Sequence, residues 1–376
     1  MDKIAKNFAH LMMLSFSVAT IHITVNFRWW KNVLILFFLI GNITSIVCAS
    51  VILIEHIGSE SKSLSIFFAV IIICVASQIL LKQVYSNIHQ DKLRNLLEWV
   101  QDLETREFDP LFNLRAKECI HTARKYSVLC YTIYNANFIL AASSYTILIL
   151  LSDMTGRYWM KVPFSSEDYE HYVALTLSAH VYSFASIGIT YPLTDSPFLI
   201  TGLHVVGFLD ALKRIIRLLR DPDYSHSHST ILKNVLILHL EIIQKLSDFN
   251  SMMYIISFTQ FLSSMILLAF MISLLLVSSQ EYLMYFCALL AIVQLFLLCI
   301  FGEMFMIKTE NITEELYQTN WYDLQNSDQK NLLFILKMSQ RNYSIKAGGM
   351  YSINMYAFIQ ILKMAFTYAA LMHNFV

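Results

Sequence analysis

Long apolar runs, each near the length of a bilayer crossing, alternate along this chain with charged segments of helical period. A hydrocarbon core of about 30 Å takes about 20 mostly apolar helical residues. Six runs meet that requirement: 33–54, 64–81, 126–151, 252–277, 282–301 and 349–372. A seventh, 172–193, is more polar, holding His180, several Ser and Thr, and Pro192; without it the charge alternation that follows breaks down. Residues 9–25 mix apolar side chains with His and Thr. They read as an interfacial helix, and the apolar stretches start too late for a cleaved signal peptide.

The segments between runs carry their own periodicity. In "SNIHQDKLRNLLEWVQDLE", Ile88, Leu93, Leu96, Leu97, Val100 and Leu103 recur at helical spacing. In "GFLDALKRIIRLLRD", Phe208, Leu209, Leu212, Ile215, Ile216 and Leu219 do the same with basic residues between them. "WYDLQNSDQKNLLFILKMSQ" repeats the pattern. The fourth, fifth and sixth spans are therefore predicted to continue as helices beyond the bilayer. Their apolar faces need partners and should pack as one anchor bundle.

Composition and charge turn these runs into a topology. Of 376 residues, 56% are hydrophobic and 14% charged, against about 25% charged in a soluble domain. With seven spans, segments 1–32, 82–125, 201–245 and 303–347 share one side and hold 23 of the 27 Lys and Arg. The other side holds Lys62, Arg157 and Lys161, and Lys363 lies inside the last span. Positive residues stay cytoplasmic, so the expected fold is an all-α membrane protein with seven transmembrane helices. Its amino terminus is cytoplasmic, its carboxyl terminus extracellular, and its long cytoplasmic helices form an anchor bundle.

The chain divides into 1–200, the first four spans; 201–250, a cytoplasmic extension; 251–302, the fifth and sixth spans; 303–347, the anchor helix region; and 348–376, the final helix. None of the six cysteines falls in a candidate outer loop, so no disulfide framework is implied. The sequons at Asn42, Asn311 and Asn342 lie in a span or on the cytoplasmic side and are expected to stay unused. The orientation is opposite to that of G-protein-coupled receptors. Their Asp/Glu-Arg-Tyr and Asn-Pro-x-x-Tyr motifs are also missing.

Catalytic and cofactor signatures are absent: no nucleotide-binding glycine loop, no HExxH and no CxxC. An enzyme is not expected, nor a cofactor, and zero net charge gives no reason to expect a nucleic-acid partner. His226 and His228 in "SHSHST" read as a solvated loop rather than metal ligands. Seven spans with termini on opposite sides do not split into the inverted halves of many secondary transporters.

The final run holds a polar stripe. Tyr356, Gln360, Lys363, Thr367, Leu371 and Asn374 follow one another at steps of three or four. Such a stripe either bonds to neighbouring helices or lines water. Ser352, Asn354 and Thr367 alone would fit the first. Lys363 sits near mid-helix, and no acidic residue occurs in the predicted spans to neutralise it, so a water-filled path is its cheapest environment. Gly348 and Gly349 supply a joint before this helix.

The ending resembles that of insect odorant receptors. The matching pieces are Trp321-Tyr322, "LLFILKMSQRNYSIKAGGMYSINMYAFIQILKMAFTYAALM", and the fifth-helix region "LHLEIIQKLSDFNSMMYIISFTQFLSSMILLAF". The likeness is strongest over 235–376 and diffuse before it. It implies an odorant-gated, nonselective cation channel in the plasma membrane of olfactory sensory neuron dendrites. It also implies a tetramer with the odorant receptor co-receptor, in which the last helix lines a central pore. Leu371 then takes the hydrophobic gate and Asn374 the outer mouth. Four copies of Lys363 would repel a permeant cation, so the chain is expected to work in a heteromer and to conduct poorly alone.

The resemblance places a pocket for a small volatile ligand in the outer half of the membrane. The residues at that depth are Phe67, Phe68 and Ile71; Phe138, Ala141, Tyr145 and Leu148; His180, Ser183 and Phe184; Met265; and Tyr285. This aromatic-rich set suits a small aromatic or heterocyclic odorant. Two alternatives stand beside this reading: a gustatory-receptor-type homotetrameric channel and a metabotropic seven-span receptor.

Overall fold

The structure is a computed structural model and describes residues 3–20, 29–55, 64–151, 160–163, 172–277, 282–341 and 343–375. In chain order the helices are α1 (Lys3–Ala19), α2 (Trp29–Glu55), α3 (Leu64–Ile88), α4 (Gln90–Thr105), α5 (Asn113–Leu151), α6 (Tyr172–Arg217), α7 (His228–Val277), α8 (Tyr282–Tyr317), α9 (Asn326–Ser339) and α10 (Met355–Phe375). A two-residue antiparallel hairpin, β1 (Lys346–Ala347) and β2 (Tyr351–Ser352), precedes α10. Below, the end of the bundle that gathers α1, α4 and α9 is called basal and the opposite end apical.

Six of the seven predicted apolar runs each lie within one helix, and the long helices extend as their periodicity implied. α6 runs for 46 residues and α7 for 50. Among the described residues, 32–55, 68–88, 222–272 and 291–317 are long and apolar enough to cross a membrane, and 355–371 is a shorter apolar helix.

α6 is the spine of the bundle, packing against α1, α2, α3, α4, α5, α7 and α8. Two glycines set its approach to α5. A Cβ on Gly188 would fall 2.4 Å from the Cβ of Ala142, and one on Gly207 would fall 2.4 Å from that of Ala123.

The basal core joins α4, α6 and α7. Leu93, Leu96, Leu97, Val100 and Leu103 of α4 are buried with Phe208, Leu212, Ile215 and Ile216 of α6 and Ile231, Leu232 and Val235 of α7. Each fully buried side chain of this kind contributes roughly 1.5–3 kcal/mol. Trp99 meets Phe208 edge to face at 5.6 Å and donates its indole N–H to Glu241 at 2.7 Å. Glu315 binds Arg217, Arg220 and Lys213. Its burial works to raise the pKa, but the Arg217 hydrogen bond and the three cations outweigh that and hold the carboxyl below the ordinary range.

Two expectations change. The first helix does not lie free as an interfacial element: Phe8, Met12 and Phe16 of α1 are buried in the main core, and Phe8 stacks on His204 at 5.4 Å. Its apolar stripe is covered by protein. The last helix begins at Met355 rather than at 349, because Gly348 and Gly349 adopt φ of +57° and +70° and the chain turns there.

Candidate functional site

The apical half of α6 presents His180, Phe184, Ile187 and Tyr191 at steps of four, three and four, which places them along one helical face. Below them Pro192 and Pro197 remove two backbone donors from the helix interior. Side-chain hydroxyls occupy carbonyls around this break. Thr194 donates to the Tyr191 carbonyl and Ser196 to the Pro192 carbonyl, both at 2.7 Å.

At the apical end, residues 160–163 lie across α2 and α6. The Met160 N–H donates to His180 Nε2 at 3.2 Å, while His180 Nδ1 meets the Thr176 carbonyl at 2.7 Å. The Lys161 N–H donates to the Cys48 carbonyl at 3.1 Å, and its ammonium pairs with Glu55 at 2.8 Å. Met160 is 1% exposed and packs with Cys48, Ala49, Ile52, Ala69 and Ile72. The sequence reading did not single out this segment.

The predicted ligand residues are distributed around these elements. Phe184 packs against the Met160 cluster. Phe68 is buried, Ile71 and Ala141 are half-buried, and half-buried Met265 packs against the main core. Ser183 is buried, with a hydroxyl that has no hydrogen-bond partner. Phe138 of α5 stacks on Tyr191 of α6 with ring centres 4.9 Å apart and planes 15° from parallel. The side chains of Phe67, Tyr145, Leu148 and Tyr285 lie outside the described residues. A basal cleft of about 550 Å³ between α8 and α9, bordered by Glu310, Thr313 and Arg341, involves none of the predicted residues.

Beneath the Phe138–Tyr191 stack lies a buried polar layer contributed by five helices. Lys82 of α3 is 2% exposed, pairs with Asp195 of α6 at 2.6 Å and donates to Gln260 Oε1 of α7 at 2.8 Å. Tyr134 of α5 donates to the second oxygen of Asp195 at 2.9 Å. Gln78 of α3 donates to Tyr191 Oη at 3.0 Å and to Gln260 Oε1. Tyr191 donates to Gln260 Oε1 at 3.2 Å and accepts from Gln294 of α8. The Lys82 ammonium also lies 4.7 Å from the centre of the Tyr191 ring.

The sequence reading missed this layer. It counted Lys82 with the cytoplasmic charges, and Asp195 falls just beyond the predicted run 172–193. A signal was present: Gln78, Gln260 and Gln294 each stand inside a predicted span, where an amide needs a partner.

The hairpin before α10 is tied to α7 by two backbone N–H groups. The Gly348 N–H donates to the Tyr254 carbonyl at 2.9 Å, and the Lys346 N–H donates to Asn250 at 3.1 Å. Asn354 caps α10 by accepting from the Ala357 N–H at 2.9 Å, and Glu303 of α8 accepts from the Met355 N–H at 3.2 Å. A carboxylate at that end complements the helix dipole.

α10 packs on α7 and α8, with Ile361, Ala365 and Ala369 buried. Lys363 lies about 200° around the helix from Ile361. Lys363, Thr367 and Leu371 are exposed and Gln360 is half-buried. The polar stripe thus points away from the rest of its own chain. The side chain of Asn374 lies outside the described residues.

Comparison with known proteins adds to this geometry. A family model described as 7tm Odorant receptor matches residues 62–366. Odorant receptor 10 of Aedes albopictus is 25% identical over 271 residues, covering 67% of this chain and 70% of that protein. Odorant receptor 33a of Drosophila melanogaster is 23% identical over 253 residues, covering 64% and 66%. Against Odorant receptor 33b of Drosophila melanogaster the identity is 29% over 80 residues, and the chain spans 21% of that protein's length. Among solved structures, the insect olfactory receptor OR5 from Machilis hrabei in complex with eugenol superposes with a TM-score of 0.77 at 14% identity, covering 99% of this chain and 98% of that one. A second structure of that receptor gives 0.75 at 13% identity. At such identity the likeness establishes the fold.

Proposed function

The chain belongs to the 7tm odorant receptor family, not to an enzyme family, and from that premise we propose that it is the odorant-binding subunit of an insect heteromeric, odorant-gated, nonselective cation channel. Seven helices, α2, α3, α5, α6, α7, α8 and α10, cross the plasma membrane of an olfactory neuron dendrite, with the amino terminus inside. The basal core of α4, α6, α7 and α9 is the cytoplasmic anchor. A small volatile ligand enters the apical half, against Phe67, Phe68, Ile71, Phe138, Ala141, Tyr145, Leu148, His180, Ser183, Phe184, Met265 and Tyr285.

The observation that carries the pore assignment is the orientation of α10. Ile361, Ala365 and Ala369 are buried toward α7 and α8, while Lys363, Thr367 and Leu371 face away together with Ile359, Met364 and Phe366, and Gln360 is half-buried. An ammonium about 12 Å along the helix axis from Met355 is costly against lipid. A water-filled conduit shared with co-receptor subunits relieves that cost. One lysine among partner subunits lacking it leaves cation permeation possible, whereas four would oppose it by like-charge repulsion. Leu371 serves as the gate, Asn374 stands at the outer mouth, and the Gly348–Gly349 turn is the pivot.

Expression in a non-neuronal cell with and without an insect co-receptor tests this reading, using a panel of aromatic and heterocyclic volatiles that includes eugenol. Odorant-evoked cation current is expected only with the co-receptor, and Lys363→Gln should raise single-channel conductance in the heteromer. Robust current from the chain alone would instead support a homotetrameric channel. Responses without any current would support a metabotropic receptor.

A further inference from the structure

The polar layer is more than packing requires. A buried ion pair is often no more stabilising than apolar residues of the same volume, because desolvation offsets the attraction. Three glutamines and two tyrosines add to that cost unless every group is paired. Inside a membrane, an ionisable group of this kind is by default a functional one.

Its position is specific. α3, α5 and α6 bring ten of the twelve predicted ligand residues and also supply Gln78, Lys82, Tyr134, Tyr191 and Asp195 to the layer. α7 and α8 supply Gln260 and Gln294, and these two helices support α10. The layer is thus where the ligand-contacting helices meet the gate-bearing ones. Tyr191 joins the two levels: its ring lies under Phe138, and its hydroxyl holds Gln260 and Gln294. The next residue is Pro192, where α6 lacks a backbone donor.

The pairing is also oversubscribed. Lys82, Gln78 and Tyr191 all donate to the one oxygen of Gln260. An amide oxygen has two lone pairs. When two donors hold it at full strength the third must yield, so the layer has more than one pairing state available. Lys82 carries the charge, and the Tyr191 contact, at 3.2 Å, is the longest of the three, so the Tyr191 hydroxyl is the donor released at least cost.

Resting on the channel reading above, we propose that Tyr191 is a positioning residue that latches α6 to α7 and α8 through Gln260 and Gln294 in the closed receptor. A ligand pressing on Phe138 tilts the Tyr191 ring, takes its hydroxyl off Gln260 and Gln294, and frees α7 and α8 to carry α10 outward. Lys82 and Gln78 then hold Gln260 alone.

The test is Tyr191→Phe, which deletes one hydroxyl and keeps the ring, co-expressed with the co-receptor and probed with the same panel including eugenol. Odorant-free current per surface-labelled receptor should rise about fivefold, the factor in an equilibrium that one net hydrogen bond is worth. The odorant-evoked increment should shrink correspondingly. Gln294→Leu, which removes only the α8 partner, should act in the same direction. A purely structural role would lower surface labelling without raising odorant-free current.

Unchanged odorant-free current at equal surface labelling in both variants overturns the latch, and so does failure of both to reach the surface. If the unmodified chain with co-receptor gives no current to any panel member, the channel reading fails instead.

Discussion

Gly348 and Gly349 show how single residues fix the entry to α10. Their φ of +57° and +70° lies in the left-handed region that side chains resist. Space is closed as well: a Cβ on Gly348 would meet Phe258 at 2.9 Å, and one on Gly349 would meet Tyr254 at 2.8 Å. Gly349→Ala should destabilise this turn by roughly 1–2 kcal/mol from the backbone alone, with more from displacing Tyr254. The expected outcome is a lower thermal midpoint of the detergent-solubilised protein, measured by fluorescence-detected size exclusion. Met350→Ala, at a 68% exposed neighbour, should leave the midpoint unchanged. The sequence marked both glycines as a joint. It could not show that the joint is tied to α7, because the tie runs from the Gly348 N–H to the Tyr254 carbonyl, a partner 94 residues away.

At the scale of elements, helical period was a reliable guide where a helix is covered on one side. Phe208, Leu209, Leu212, Ile215 and Ile216 of α6, and Leu219 in the turn just after it, are all buried as the pattern required. Ile88 shares the periodicity of α4 but stands at the end of α3 and is 70% exposed, since the chain breaks at His89 between the two helices.

His239 in α7 gives a pH prediction for the basal core. It is 3% exposed, its Nδ1 has no partner, and burial pushes its pKa from 6.5 down to about 4. The folded state holds the ring neutral while the unfolded chain takes up a proton below pH 6.5. Its contribution is therefore intact above that pH and is lost as pH falls from about 6.5 toward about 4, by on the order of 3 kcal/mol at the low end. Thermal midpoints of purified protein at pH 7.5 and pH 5 should diverge more for the unmodified chain than for His239→Leu.

For the whole molecule, the charge distribution makes a testable prediction of orientation. An epitope tag at the amino terminus should be reached by antibody only after permeabilisation, and one at the carboxyl terminus in intact cells. No glycan is expected at Asn42, whose side chain is fully buried and donates to Thr190 at 3.0 Å. Glycosylation at Asn311 would reverse the orientation, because Asn311 lies on the basal extension of α8.

Sequence alone determined the helical class, the seven apolar runs, the long basal helices and the polar stripe of the last helix. Each rests on local period and on the cost of burying polar backbone in lipid, which act within one segment at a time. Only the tertiary structure decided that α1 is core rather than surface, that residues 160–163 pack onto α2 and α6, and that Lys82 meets Asp195. The reason is distance along the chain: Lys82 and Asp195 are 113 residues apart, and no periodicity in either helix says which charge across the bundle it will face. The ligand residues fall between the two cases. The sequence assigned the predicted ligand residues to helices, but the polar layer beneath them existed only once five helices had been brought together.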